Sequence, residues 1–201
     1  MSAWSGVTGV AAGWRRTLAI LNDGTVVAAG RHDEGACDVS EWTDIVAVSA
    51  GDWHSVGLRA DGTAVAAGAN RHGQGELSAW HDLVGIAAGY LHTVGVSASG
   101  RVLTAGDAPG ALEVGRWRDV IAVAAGSHHT VALTSSGHVL AAGDNQSGQC
   151  DVAVWEGIVA IAAGSRHTLG IRSDGTAMAA GCNDDGQCEV SGWSDLRVGN
   201  H

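Results

Sequence analysis

The sequence predicts an all-β fold: a five-bladed β-propeller with four short antiparallel strands in each blade. Three observations carry this reading. Tryptophans recur at Trp4, Trp42, Trp80, Trp117, Trp155 and Trp193, at steps of 38, 38, 37, 38 and 38 residues, and Gly13, Gly51, Gly89, Gly126 and Gly164 keep the same step. The β-branched runs between them are short and end at glycine, as strands do. No window sustains a 3.6-residue apolar period with caps, so no helix is expected. Four strands recurring every 40 or so residues is the pattern of a propeller, one blade per repeat. A parallel β-helix would use shorter coils, and a leucine-rich horseshoe would need its own leucine ladder.

The step divides the chain, read as a single domain over residues 1–201, into blades at about 7–44, 45–82, 83–119, 120–157 and 158–195. The fourth blade shows the elements in order: "VIAVAAG", "HTVALTSSG", "HVLAAG" and "QCDVAVW". The turns "LNDG", "RADG", "TSSG" and "RSDG" join second and third strands as hairpins. First strands carry small residues (Ala47, Ser49, Ala50; Gly85, Ala87, Ala88; Ala122, Ala124, Ala125), as an axis crowded by blades requires. Five blades closing a circle would each take about 72°. The recurrent tryptophans are then expected as wedges between neighbouring blades, each contributing roughly 2–3 kcal/mol by burial.

Composition narrows the function. Hydrophobic residues make up 45% of the 201 and charged ones 16%, which excludes disorder. All 11 basic residues are arginine against 21 acidic ones, a formal charge of −10 that repels a phosphate backbone, so no nucleic-acid partner is expected. No apolar run is long enough to span a membrane, and "MSAWSGVTGV" lacks the basic head and apolar run of a signal peptide. Four cysteines in a chain this long do not make a disulfide scaffold, and a cytoplasmic setting with reduced thiols is expected. Arginine without lysine, with abundant Ala, Gly and Val, hints at a GC-rich bacterial genome.

Function should lie where the repeat varies. In a four-stranded meander, the turn between strands one and two shares a face with the loop between strands three and four. The first supplies Trp14 and Arg15, Asp52 and Trp53, Tyr90 and Leu91, His128, and Arg166; the second supplies Arg31, His32, Arg71, His72, Pro109, Asn145 and Asp184. Variable loops on a rigid frame carry function, and Trp, Tyr and Arg are enriched at binding hot spots. Trp14, Arg15, His32, Asp52, Trp53, Arg71, His72, Tyr90, Leu91, His128, Asn145, Arg166 and Asp184 are therefore the candidate partner contacts.

By contrast, His54, His92, His129 and His167 recur once per blade and read as frame residues that hydrogen-bond backbone and lock their turn. Blade one has Arg16 in that place. His32, His72, His128 and Cys182 share the variable face, and imidazole with thiolate suits zinc, but they form no close pair in sequence and no metal is expected. Cys37, Cys150 and Cys188 hold equivalent places on different blades, too far apart for a disulfide, which needs Cα atoms within about 7 Å. No phosphate loop, nucleophile elbow or catalytic carboxylate pair stands out. No cofactor and no catalysis are expected.

"GSHHTVALTSSGHVLAAGDNQSGQC" (126–150) and "GSRHTLGIRSDGTAMAAGCNDDGQC" (164–188) resemble repeats of the regulator of chromosome condensation superfamily. The shared pattern is Gly-x-x-His-Thr, a hairpin ending in Asp-Gly, then Gly-x-Asn and Gly-Gln. The short repeat is closest to compact bacterial members and similar in length to that of beta-lactamase inhibitory protein II. That likeness implies a propeller binding a protein loop with aromatic residues on one face. The chain departs from the family in having five blades rather than seven, and Ala where the family has Trp before the third-strand glycine. It also lacks the inserted wedge and basic character of the eukaryotic exchange factor, so exchange activity is not carried over. "GWRRT" (13–17) resembles the motif holding the sensing Trp of a plant ultraviolet-B photoreceptor in the same superfamily. The expected function is a non-catalytic binding propeller gripping a protein loop, peptide or compact small molecule. A self-assembling module or homodimer is the alternative, ahead of an enzyme or light sensor.

Overall fold

Five sheets succeed one another along the chain, each with its strands in sequence order. The computed structural model describes residues 4–108 and 110–198. Blade one comprises β1 (Val7–Gly13), β2 (Arg16–Leu21) and β3 (Val26–Gly30), and blade two β4 (Ile45–Ala50), β5 (His54–Arg59) and β6 (Ala64–Gly68). Blade three comprises β7 (Leu83–Ala88), β8 (His92–Ser97) and β9 (Val102–Gly106). Blade four has β10 (Val120–Ala125), β11 (His129–Thr134) and β12 (Val139–Gly143), and blade five β13 (Ile158–Ala163), β14 (His167–Arg172) and β15 (Ala177–Gly181). All pairings are antiparallel, and the first pair of each blade carries one register shift, as between Val120 and Ala122. No helix among the described residues is long and apolar enough to cross a membrane.

Each blade has three strands, not the expected four. The fourth segment, "QCDVAVW" in blade four, is as short and β-branched as a strand but spends its backbone hydrogen bonds on turns. Gly148 N–H donates to Asn145 O (3.1 Å), Asp151 N–H to Gly148 O (3.1 Å) and Trp155 N–H to Val152 O (2.9 Å). Gly148 sits at φ +80°, where a side chain would be strained. Blade three departs further: a short helix, α1 (Ala111–Val114), replaces these turns, against the expectation of no helix. Pro109, a loop candidate there, lies outside the described residues.

What the turn segment does is deliver the tryptophan. Trp42, Trp80, Trp117 and Trp155 are 3–8% exposed, each in a cluster drawn from two adjacent blades. Trp155 lies among Val131, Leu133 and Val139 of blade four with Ile161, Ala163 and Met178 of blade five. The ring fits because Gly170 has no Cβ; one there would sit 2.8 Å from the indole. Four of the six tryptophans are thus wedges. Trp4 and Trp193 are 37% and 51% exposed and fill no cluster.

Three of the four recurrent histidines join blades, whereas the sequence suggested that they lock their own turns. His54 Nε2 meets Thr93 Oγ1 at 2.8 Å, His92 Nε2 meets Thr130 Oγ1 at 3.3 Å, and His129 Nε2 meets Thr168 Oγ1 at 3.0 Å, each partner one blade ahead. Thr93 and Thr168 donate onward to the carbonyls of Gln74 and Gln149, so each hydroxyl accepts from the imidazole and Nε2 carries the proton. These rings are at most 1% exposed. Arg16 takes the role in blade one, donating to the carbonyls of Gly51 (2.7 Å), Asp52 (3.2 Å) and His54 (2.7 Å) of blade two.

Four junctions are built this way, and the fifth is open. Among the described residues no apolar cluster and no hydrogen bond joins blade five to blade one, so the expected closed ring of 72° sectors is an arc of five blades. The wedges hold each of the four junctions through close-packed contacts.

Candidate functional site

The β1–β2 type turns and the segments after each third strand do share a face, because one backbone bond ties them in every blade. Arg31 N–H donates to Arg15 O, Ala69 to Trp53 O, Asp107 to Leu91 O, Asp144 to His128 O and Cys182 to Arg166 O, all at 2.8–3.0 Å. The varying residues therefore project from a uniform frame.

On it, four blades contribute a continuous aromatic run. Trp14 and Trp53 have ring centroids 5.1 Å apart at 56°, Trp53 and Tyr90 6.3 Å at 65°, and Tyr90 and His128 5.1 Å at 61°. These tilted and edge-on spacings are those aromatic pairs prefer. Arg31 lies over both indoles, 5.0 Å from Trp14 and 4.7 Å from Trp53, while Arg15 covers Trp14 at 4.4 Å. Arg31 is itself held by Asp33 (3.1 Å) and Glu34 (2.6 Å). The cation is thus fixed between two π faces and two carboxylates.

Beside this run a hollow of about 480 Å³ is lined by Trp53, Tyr90, Leu91, Asn70, Arg71 and His72, with Asp33 and Glu34 at its edge. His72 Nδ1 meets Asp107 at 2.6 Å, linking the loops of blades two and three. A second hollow, about 250 Å³, lies on the axis, floored by the glycines and alanines that end the first strands and opening beside Trp14 and Asp52. Asp52 is half-buried; burial raises its carboxyl pKa, opposed by the nearby charges of Arg16 and His128.

The structure brings together Trp14, Arg15, Asp52, Trp53, Tyr90, Leu91 and His128, with Arg71 and His72 at the margin of the hollow. Arg166 and Asp184 pair with each other on blade five at 3.6 Å, apart from the aromatic run. His32 is exposed and stands outside both hollows. Asn145 belongs to the frame: its Oδ1 accepts from Cys150 N–H (2.7 Å) and its Nδ2 donates to Asp151 (2.9 Å). Asn70 and Asn183 repeat the first of these bonds, a recurrence visible in the sequence. Arg31, which the sequence places on the variable loop but not among the candidate contacts, lies over both indoles, a position that only the fold reveals. Cys182 is buried with its Sγ 3.2 Å from Asp184, and the thiols of Cys37, Cys150 and Cys188 donate to backbone carbonyls of their own turns. All four cysteines are unpaired.

The comparisons agree with this architecture. The profile of the regulator of chromosome condensation (RCC1) repeat matches residues 7–36, 45–74, 120–149 and 158–187. The unmatched blade is the third, where α1 replaces the usual turns. No curated protein matches the chain in sequence. Among solved structures, Prp20p from Saccharomyces cerevisiae is similar with a TM-score of 0.70 at 22% identity, covering 89% of this chain and 57% of its own. Human WBSCR16 gives 0.70 at 17%, covering 87% and 61%. The ectodomain of the Arabidopsis thaliana receptor kinase ACR4 gives 0.68 at 21%, covering 88% and 66%. The chain therefore spans a little over half the length of the first of these. With the repeat matched over more than half of its residues and the fold shared, the chain belongs to the RCC1 repeat family.

Proposed function

We propose that this propeller is a non-catalytic binding protein whose variable loop face grips a protein loop or peptide, with compact small molecules as the lesser ligand class. One observation carries the reading: Trp14, Trp53, Tyr90 and His128, each at a position that varies between blades, form one aromatic run braced by Arg15 and Arg31. Rigid aromatic and arginine surfaces held at low entropy cost are what hot spots are made of. The hollow beside the run gives an inserted side chain a place to go. His72 and His128, the histidines best placed for proton transfer, are engaged by Asp107 and Tyr90, which suits positioning better than chemistry. A family relative, Prp20p, is described by its binding to Gsp1p and histones, which is in keeping with a protein partner here.

The test is selection of peptides from a displayed random library on the immobilised protein, followed by titration of the enriched sequences. Trp53→Ala and Arg31→Ala should each weaken binding by roughly 30-fold, the loss of a hot spot of about 2 kcal/mol. Asp61→Ala, on a hairpin between second and third strands, should change nothing. Peptides that bind all three variants like the parent would place the site elsewhere.

A further inference from the structure

The open junction leaves two edges that match each other. At the junction of blades four and five, Ile161, Ala163, Met178 and Ala180 of blade five fill a groove made by Val131, Leu133, Val139, Val152 and Trp155. The repeat places Leu169, Ile171, Ala177, Val190 and Trp193 at the same groove positions on the far side of blade five. Most of them, with Leu196, line an apolar hollow of about 180 Å³. It places Val10, Ala12, Val27 and Ala29 at the filling positions on the near side of blade one. Val10 is 70% exposed, and Ala12 and Ala29 are exposed, whereas their counterparts Val48, Ala50 and Ala67 pack into the cluster between blades one and two.

The polar pairing is split in the same way. Each interior threonine or serine of the ladder (Ser55, Thr93, Thr130, Thr168) is fully buried. Thr17, the equivalent in blade one, is exposed, and His167, the equivalent imidazole in blade five, is only half-buried. Among the described residues neither side chain has a hydrogen-bond partner. One edge thus offers a donor and an apolar groove, and the other an acceptor and the residues that fill such a groove.

We propose that these edges join copies of this chain head to tail, blade one of one copy seating on blade five of the next as an added interblade junction. The contact is heterologous, so it propagates unless the rotation closes. It is independent of the loop face, which stays open in every copy. Each interior junction holds one tryptophan, yet Trp4 and Trp193 are equivalent in the repeat. Residues 4–6 enter blade one as the interior linkers do, with Asn22 N–H donating to Gly6 O (2.8 Å) as Ala60 N–H does to Asp44 O (2.9 Å). Trp193 of one copy therefore takes the wedge position only when Trp4 of the next swings aside. The charge of −10 per chain opposes association, so salt favours it.

Sedimentation velocity at concentrations up to about 100 µM, where contacts with dissociation constants of that order are populated, tests this with two edge variants. Val10→Glu blocks the filling edge and Trp193→Glu the groove; both sites are largely exposed, and unchanged circular dichroism confirms the fold. The parent should form concentration-dependent dimers and larger species, and each variant alone should be monomeric. Their one-to-one mixture should stop at a dimer, because it contains a single intact pair of edges. Trp4→Ala should promote association by freeing the wedge position. A parent monomeric throughout, as intrachain closure would give, overturns the proposal. So does association that survives in both variants, as pairing through the aromatic face would give, a mixture that remains monomeric, or weaker association of Trp4→Ala.

Discussion

Lowering the pH from about 7 to 5 should strongly destabilise this protein, because of its buried histidines. Burial is the main cause that takes the imidazoles of His54, His92 and His129 down to about 4, helped by Arg16 for the first, His129 for the second and His167 for the third. In the unfolded chain each titrates near 6.5. Between those values the unfolded state binds more protons, so stability is complete above about pH 7 and is lost as pH falls toward 4. From pH 7 to pH 5 the loss is roughly 2 kcal/mol per histidine, about 5–6 kcal/mol for the three. That compares with a total stability of about 5–15 kcal/mol for a typical domain. Carboxylates contribute little over this interval, since they titrate mostly below it. Urea denaturation at pH 7, 6 and 5 measures the slope. His92→Gln, which keeps a hydrogen-bonding group toward Thr130 without the titration, should remove about a third of it. Equal stability at pH 7 and 5, or ring titrations near 6.5 by NMR for all three, would refute the argument.

Two further outcomes follow from the junctions. Trp155→Ala should cost about 3–5 kcal/mol in urea denaturation, as large-to-small changes in a packed core do, whereas Trp193→Ala, 51% exposed, should cost less than about 1 kcal/mol. Arg16→Ala removes the buried side chain and its charge-assisted bonds to the carbonyls of Gly51 and His54, which keep their backbone N–H donors, and should destabilise by about 1–3 kcal/mol by thermal or urea melting. Arg16→His should recover much of that loss by reaching Ser55 as the other blades' histidines reach their threonines.

The blades were legible because the Trp and Gly steps report an obligatory geometry: each blade needs a wedge and a close approach at the axis. The fourth segment reads as a strand because "QCDVAVW" is short, rich in β-branched residues and bounded by glycine, yet its buried residues, Val152 and Trp155 with Val154 exposed, follow the spacing of turns. Turns around Gly148 deliver Val152 and Trp155 to the interior equally well. The histidines' role was hidden because their partners lie 38 or 39 residues ahead, on the next blade, beyond any local pattern. At the candidate site the aromatic positions were visible as departures from the repeat. The place of Arg31 was not, since stacking on Trp14 and Trp53 depends on how two blades splay. Asn145 makes the same side-chain bond to its own turn as Asn70 and Asn183, and the recurrence of Asn at these places in the sequence signals that shared role.

An arc with four packed junctions also differs from a closed ring in how it comes apart. In a ring every unit has two neighbours, and opening one disturbs two contacts. Among the described residues blades one and five each pack on a single neighbour, so the stability of this five-blade array is a chain of nearest-neighbour couplings with weak ends. Amide exchange should then be graded, fastest in β1 and in β13–β15 and slowest in blade three, with local opening advancing inward from both ends. The same logic makes length negotiable: a blade gained or lost at either end changes the total by one junction and leaves the remaining ones as they were.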